Sequence, residues 1–157
     1  MEDTQPINEK LIKKMIKKAI ECRKNAFPYR SMHRIGASIL TTKWNVIWWC
    51  NIESTITWLG TCAERCAVDN AITNWEYDII AICTVDSKFT PTCGACLQYI
   101  LQFSQILDRE IWIIKADIRG HYRINTLSEL LPQWYKTWAS LNKIRDYIAK
   151  HLKKNNK

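Results

Sequence analysis

Three cysteines and one glutamate are spaced so that they could bind a metal ion and move protons. Cys93 and Cys96 form a Cys-x-x-Cys pair, and Cys62 lies well before that pair in the chain. Three protein thiolates leave the fourth tetrahedral position of a zinc ion open to water, which is the arrangement of a catalytic site. Glu64 follows Cys62 by two residues and could carry protons for a reaction at that open position.

Other uses of a Cys-x-x-Cys pair have to be weighed, namely a redox pair, part of a four-cysteine structural zinc site, or two unrelated core thiols. The remaining cysteines are the candidates for a fourth ligand, and each is better explained as a small apolar residue or part of a helix face. They are Cys22, Cys50, Cys66 and Cys83. We favour a catalytic site because Glu64 and Arg65 fall in the same helical turn as Cys62.

Both cysteine segments are expected at helix starts, where unpaired N–H groups and the helix dipole stabilise thiolates. Three thiolates on one Zn²⁺ still leave a net charge of about −1, which makes a bound water a poorer acid. Arg65 is placed to hydrogen-bond the ligand sulfurs and to draw off part of that charge.

The chain of 157 residues is long enough for one domain with a proper core. Its seven cysteines are odd in number, and residues 1–10 show no secretory leader, so we expect a reducing, cytoplasmic location. The longest apolar runs, such as 46–50, are far too short to span a bilayer. We therefore expect a single domain over 1–157, without membrane partners.

The net charge of +8 is concentrated at the two ends of the chain. Residues 9–24 carry seven Lys or Arg against two Glu, and residues 136–157 carry seven against one Asp. The segment between them is close to neutral. Lysine-rich helix faces are usually solvated, so nucleic acid is not the expected partner.

Hydrophobic periodicity predicts an alternation of helices and strands. A first amphipathic helix is expected over about 7–24, and a C-terminal helical extension over about 133–153. The strands are predicted near 34–40, 45–51, 78–85 and 111–116, with a short last strand after the turn at 119–121 that runs to about 127. Trp48, Trp49 and Trp112 are expected to lie in core strands. The alternation predicts an α/β fold, a three-layer α/β/α sandwich with about five strands.

Several ordered motifs between about 26 and 135 together carry a family resemblance. They are Gly36-Ala37, Asn51-Ile52-Glu53, Cys62-Ala63-Glu64-Arg65, Cys93-Gly94-Ala95-Cys96 with Gln98, and Glu129-Leu130-Leu131-Pro132. With these motifs the chain resembles the cytidine deaminase family, in its small-subunit, usually homotetrameric branch. The resemblance implies a mixed sheet, one zinc ion per chain, and hydrolytic deamination of cytidine or 2′-deoxycytidine to the uridines in pyrimidine salvage.

The resemblance also assigns roles to individual residues. Cys62, Cys93 and Cys96 would hold zinc, and Glu64 would move the protons. Asn51 and Glu53 would grip the 3′-hydroxyl of the ribose, and strand alternation would put both on one face. The further implied roles are the N–H of Ala63 on the base O2, a late aromatic at Tyr135 that caps the pocket, and support of the ligand loop by Arg65 and Gln98.

The chain departs from the family pattern at several positions. Thr92 is inserted between Pro91 and Cys93, and Leu97 replaces a usual arginine. His33 stands where a phenylalanine usually stacks on the base, and it could stack, hydrogen-bond or be merely structural.

Two rival functions use the same zinc chemistry. A deaminase of a modified nucleoside or a nucleoside antibiotic of the blasticidin type is disfavoured by the Asn-x-Glu motif, which suits an ordinary sugar. A polynucleotide cytidine deaminase would use the basic ends and the eight tryptophans. We expect most of these tryptophans in the core or at a subunit interface.

Overall fold

Five strands and the helices that cover them are seen in the computed structural model, which describes residues 7–134 and 138–155. The strands are β1 Gly36–Thr41, β2 Val46–Cys50, β3 Ile79–Asp86, β4 Trp112–Asp117 and β5 Tyr122–Thr126. The helices are α1 Glu9–Arg23, α2 Ala63–Thr73, α3 Gly94–Leu107, α4 Leu127–Leu130 and α5 Trp138–Asn155, with a 3₁₀ turn at Thr57–Leu59. These bounds lie within a few residues of the predicted ones.

The sheet is mixed, with strand order β2-β1-β3-β4-β5. Strands β3 and β4 are parallel, and the other neighbours are antiparallel. A parallel pair needs a crossover connection, and α3 supplies it between β3 and β4. The predicted α/β class and the mixed sheet of five strands are confirmed.

Separate hydrophobic clusters lie on the two faces of the sheet. One face is covered by α1, whose buried residues include Ile12, Met15 and Ile16. On the other face α2 and α3 form the larger cluster, through residues such as Val68 and Ile100. The molecule therefore has the expected three layers, and the starts of α2 and α3 lie together in one of them.

Helix α1 begins at an Asn8 cap, whose side chain accepts the N–H of Leu11. It sits directly against β1 at Gly36. A Cβ atom added at Gly36 would lie 1.9 Å from the backbone oxygen of Ala19. Only glycine permits this approach, and it fixes the spacing between the helix and the sheet.

The expectation that Trp48 and Trp49 lie in the core is wrong. Strand β2 is the edge of the sheet, and the two side chains are 40% and 44% exposed. They point to opposite faces of that edge strand, where neither α1 nor α2 covers them fully. Trp112 on β4, which lies inside the sheet next to the edge strand β5, is half-buried against the cluster on the α1 side.

Helix α5 packs on the outer side of α3. Leu141 is buried in the larger cluster, and Ile144 and Ile148 lie against it. Arg145 donates to the backbone oxygens of Gln105 and Ile106, at 2.6 and 2.8 Å, near the end of α3. Tyr135, assigned to the pocket by resemblance, lies outside the described residues. In the part of the chain that the structure describes, every helix is too short or too polar to cross a membrane.

Candidate metal centre and active site

The three predicted zinc ligands meet where α2 and α3 begin. Cys62 is the N-cap residue of α2, Cys93 is the N-cap residue of α3, and Cys96 lies in the first turn of α3. Neither cap makes a side-chain hydrogen bond to its own helix. The three Sγ atoms lie within 4.8 Å of one another, and those of Cys62 and Cys93 are 4.0 Å apart.

This donor set fits a zinc ion. Two sulfurs bound to one zinc at about 2.3 Å in tetrahedral geometry lie about 3.8 Å apart, close to the separation of Cys62 and Cys93. Within residues 7–134 and 138–155 this is the one group of three or more potential ligands, and it has three members. The other four cysteines are free thiols that do not join it. The group could therefore hold zinc and keep one coordination position open.

The other cysteines are mostly buried, as their contexts suggested. Cys50 and Cys83 lie in the core. Cys22 is also buried, because its face of α1 turns toward the sheet, and its thiol donates to the backbone oxygen of Trp49 at 2.9 Å. Cys66 is only half-buried. Burial raises the pKa of Cys22 and of Cys66 to about 11, which keeps both thiols protonated.

The three clustered cysteines behave differently. The pKa of Cys62 is lowered to about 5, chiefly because the Cys96 thiol donates to it and then because of Cys93 and Arg65. The pKa of Cys96 rises because its proton is held by the Cys62 sulfur. Arg65 also donates to the backbone oxygen of Gly60 at 3.2 Å. Hydrogen bonds with the sulfurs of Cys62 and Cys96 also place the guanidinium beside the three thiols.

Glu64 lies beside the thiol group in the first turn of α2. Its side chain is almost fully buried, with the residue 5% exposed. Burial raises the pKa of this carboxyl to about 7, and the negative charge on Cys62 adds to the effect. A carboxyl with this pKa can both accept and release a proton near neutral pH.

The inserted Thr92 places its hydroxyl inside the site. The Oγ1 atom is buried. A hydrogen bond from Thr92 opposes the rise in the pKa of Glu64, so the hydroxyl faces that carboxyl. The contact is longer or more bent than an ordinary hydrogen bond, because Oγ1 has no partner with regular hydrogen-bond geometry. The insertion thus adds a polar neighbour to the proposed proton carrier.

Asn51 and Glu53 both hold the segment between α1 and β1. The Asn51 side chain accepts the N–H of Ile35 at 2.8 Å and donates to the backbone oxygen of His33 at 3.0 Å. The Glu53 carboxylate accepts the N–H groups of Arg30 and Ser31, at 2.7 and 3.2 Å. A hydrogen bond from the Ser31 side chain, and then that from the N–H of Arg30, lower the pKa of Glu53, so the group is ionised. The two side chains therefore fix one wall beside the centre.

His33 is paired with Asp86, a residue that the sequence analysis missed. The His33 Nε2 and the Asp86 Oδ2 atoms are 2.9 Å apart. Asp86 is buried at the end of β3, and its carboxylate also accepts the N–H groups of Lys88 and Thr90. It ties the loop before Cys93 to the segment that carries His33. A carboxylate at the end of an apolar run was the available signal for this residue.

The remaining residues discussed for the site differ in burial and in the direction of their side chains. Ala63 is the first residue of α2 and is fully buried, and the N–H groups of a first helical turn have no partner within the helix. Gln98 is half-buried on α3. Leu97 points into the larger hydrophobic cluster, so its side chain turns away from the three thiols.

Comparison with known proteins agrees with this geometry. Residues 9–109 match the family model described as the cytidine and deoxycytidylate deaminase zinc-binding region. The chain belongs to this family. The match runs from α1 through α3 and includes all the thiols of the metal centre.

Individual relatives extend the similarity. A cytidine deaminase of Halalkalibacterium halodurans is 35% identical over 120 residues, which are 75% of this chain and 89% of that protein. A probable cytidine deaminase of Dictyostelium discoideum is 30% identical over 124 residues, 74% of this chain and 81% of that protein. The crystal structure of cytidine deaminase from Burkholderia pseudomallei has the same fold, with a TM-score of 0.73 at 24% identity. The match covers 82% of this chain and the whole length of the crystallised one.

Proposed function

We propose that this protein is a zinc-dependent cytidine deaminase that converts cytidine or 2′-deoxycytidine and water to the corresponding uridine and ammonia. The observation that carries the proposal is the buried carboxyl of Glu64 beside three converging thiols. The curated relatives that bear this activity in their names support it.

The three thiols, as thiolates, would hold one zinc ion per chain. Zinc with an open position lowers the pKa of a water molecule and so supplies a nucleophile near neutral pH. The N-termini of α2 and α3 and the guanidinium of Arg65 stabilise the negative sulfurs. Arg65 is the arginine that this chain places beside the thiolates. Leu97 stands where the family usually has a second arginine, and its side chain points into the core instead.

Glu64 carries the protons of the reaction. It takes a proton from the water that attacks C4 of the cytosine ring and delivers it to ring N3. It then takes the proton of the new C4 hydroxyl and gives it to the amino group, which leaves as ammonia while the C4 carbonyl of uridine forms. A pKa of about 7 suits both directions of transfer, and burial keeps other proton donors away.

The neighbouring wall would bind the nucleoside. Glu53 keeps acceptor capacity beyond its two backbone hydrogen bonds, and Asn51 is held rigidly by its own. We assign the ribose 3′-hydroxyl to this pair and the base O2 to the N–H of Ala63. His33 and Tyr135 are assigned to the rim of the base pocket, with Gln98 as a support of the ligand loop. Since Asp86 holds the His33 ring, any stacking on the base would occur in a fixed orientation.

We further propose a place in pyrimidine salvage, a cytoplasmic location and a homotetrameric assembly. The support for these three assignments is the family resemblance together with the reduced cysteines. One domain over 1–157, with α5 as an extension beyond the family match, remains part of this proposal.

Ammonia release from cytidine, 2′-deoxycytidine, 2′-deoxycytidine monophosphate and adenosine, measured side by side, tests the activity. We expect turnover of the two cytosine nucleosides and none of adenosine. Glu64→Gln should keep its zinc and lose about 10²- to 10⁴-fold in rate. Absence of turnover by fully zinc-loaded protein with either cytosine nucleoside would refute the proposal.

A further inference from the structure

A groove runs between α1 and the β1–β2 hairpin, on the side of the molecule away from the thiols. It consists of two cavities of about 650 and 470 Å³. Lys14 lines both, so the cavities adjoin at that residue. The larger one reaches Asn70 and Asn74 in the last turns of α2, whereas the metal centre lies at the first residue of that helix.

One wall of the groove is a row of lysines on α1. Lys10, Lys14 and Lys18 follow one another at intervals of four residues and line the cavities. Each interval advances about 6 Å along the helix, so the charges form a line. Lys18 is also paired with Glu21 at 2.9 Å. Lys10 and Lys14 have exposed side chains, which leaves the row positive.

The acidic residue of the groove has its negative charge compensated by hydrogen-bond donors and a lysine around it. Glu76 lines the larger cavity and is 9% exposed. Its carboxylate accepts hydrogen bonds from Thr41 and Asn45, at 2.9 and 2.7 Å, and lies 3.5 Å from the ammonium of Lys43. The groove therefore presents a cationic face to a ligand.

The opposite wall carries exposed indole rings. Trp48 is 40% exposed, and the Nζ atom of Lys18 lies 4.6 Å from its ring centroid. Trp44, at the tip of the hairpin, is 57% exposed and lines the smaller cavity. Cations and flat rings thus alternate across one groove.

The backbone at Trp44 is held in an unfavourable conformation. Its φ angle of +64° falls in the left-handed region, which suits glycine or asparagine in a turn. A bulky residue there costs stability, and such strain tends to persist where the side chain has a use. An exposed tryptophan at this position makes no contribution to the core.

We propose that this groove binds single-stranded nucleic acid. The phosphates would lie along Lys10, Lys14 and Lys18, and bases would stack on Trp44 and Trp48. Single-strand binding surfaces combine a basic track with aromatic platforms in this way. An acidic peptide could use the lysines but would leave the rings without a stacking partner. Because the groove lies at the far end of α2 from Glu64, the bases stacked on Trp44 and Trp48 would lie away from the thiols.

The first test is the affinity for a fluorescein-labelled thymidine oligomer of about 15 nucleotides, measured by anisotropy over a series of salt concentrations. Three neutralised phosphates give a slope of log K against log salt of about −2, at about −0.7 each. The double variant Lys14→Gln/Lys18→Gln should reduce the slope to about −0.7. Its control is Lys143→Gln/Lys150→Gln, which removes the same charge from the exposed side of α5 and should leave the slope unchanged.

The second test concerns the rings. Trp48→Ala should weaken binding about 5- to 150-fold, which corresponds to the range measured for one base stacked on one aromatic ring. Trp44→Asn should also weaken binding, while the Tm stays the same or rises because asparagine tolerates the left-handed conformation. A fall in Tm with unchanged binding would show that Trp44 is structural and would count against the proposal.

Three further results would overturn the proposal. They are no binding of the oligomer at low salt, equal losses in the α5 control, and equally tight binding of a poly-glutamate peptide that depends on the same lysines. Deamination of free cytidine should be unaffected by the lysine and Trp48 variants. That readout separates failure of the groove from failure of the proposed enzymatic function.

Discussion

At the scale of single residues, the chemistry depends on how water is kept from one carboxyl. Glu64 is nearly buried, whereas Glu53 on the neighbouring wall is held by backbone N–H groups. Burial raises the pKa of Glu64, and hydrogen bonding lowers that of Glu53. Two glutamates eleven residues apart in sequence therefore suit different tasks, proton transfer and fixed negative charge.

The raised pKa of Glu64 has a measurable effect on the stability of the zinc-free protein. The folded state binds this proton up to about pH 7, but the unfolded chain releases it near 4.5. Stability therefore falls as the pH rises between these values and stays lower above them. Glu64→Gln removes the penalty and should be more stable than the parent at pH 8, by at most about 3 kcal/mol.

Thermal unfolding of chelator-treated protein at pH 4 and pH 8 measures this difference. The stabilisation by Glu64→Gln should be present at pH 8 and absent at pH 4. An equal stabilisation at both pH values would mean that the gain comes from packing and not from the ionised carboxyl.

Thr92 should matter for the pH dependence of the reaction. Its hydroxyl favours the ionised form of Glu64, so Thr92→Val should raise the pKa of that carboxyl. We expect the acidic limb of the kcat profile to move to higher pH and the rate at neutral pH to fall by at most about 5-fold, because the contact that is lost is weaker than a full hydrogen bond. Zinc content should not change. Ser87→Ala, on the exposed part of the same loop, is the control and should leave the profile unchanged.

The convergence of the three thiols could be predicted from the sequence because their spacing is typical of a metal site. Cys62, Cys93 and Cys96 converge as expected, with Glu64 beside them. Asp86 could not be assigned in the same way, since its partners His33, Lys88 and Thr90 meet it only after the chain has folded. A hydrogen-bond partner distant in sequence leaves no local pattern.

At the scale of elements, the bounds of the helices and strands were predictable and the order of the strands was not. The run at β2 is apolar and resembles a central strand, yet β2 forms the edge of the sheet. Its Trp48 and Trp49 are exposed because the helices on the two faces of the sheet do not fully cover this edge strand. Periodicity gives the conformation of a segment, whereas burial depends on which elements become its neighbours.

The contact between α1 and β1 has no room for another atom. Gly36→Ala would place a Cβ atom 1.9 Å from the backbone oxygen of Ala19, so the helix must move. We expect a loss of about 1 to 3 kcal/mol or more in the free energy of unfolding, measured by urea denaturation. The control is Gly94→Ala at the start of α3, where an added Cβ meets nothing within 4 Å. That variant should be as stable as the parent or slightly more stable, and comparable losses in both would contradict the steric explanation.

At the scale of the whole molecule, the metal centre joins segments that are distant in sequence. Cys62 precedes α2, whereas Cys93 and Cys96 belong to the start of α3, and β3 lies between the two helices. A zinc ion bound to all three thiolates would cross-link both helices that cover one face of the sheet. Any ligand that binds only the folded state stabilises it by mass action.

Zinc removal should therefore lower the Tm of the protein. With zinc at about a hundred times its dissociation constant the stabilisation is about 2.7 kcal/mol, equivalent to roughly 5–10 °C for a chain of this size. Metal analysis should give about one zinc per chain, and calorimetry with and without chelator gives the Tm. Cys93→Ala should match the chelated protein and show no further change with chelator. A Tm of that variant that still responds to chelator would place the metal elsewhere.

The acidity of the clustered thiols makes zinc-free protein sensitive to chemical modification during purification and storage. The pKa of Cys62 is lowered by the hydrogen bond from Cys96 and then by Cys93 and Arg65, so the cluster of Cys62, Cys93 and Cys96 favours a thiolate even without metal. Thiolates react with alkylating agents and peroxides far faster than thiols do. Protein that has lost its zinc would therefore be modified first at this cluster, and it could not bind zinc again afterwards. The fraction of protein that reacts rapidly with iodoacetamide then measures the fraction of empty sites in a sample. A slow decline in activity during storage would be a covalent modification that added zinc does not reverse.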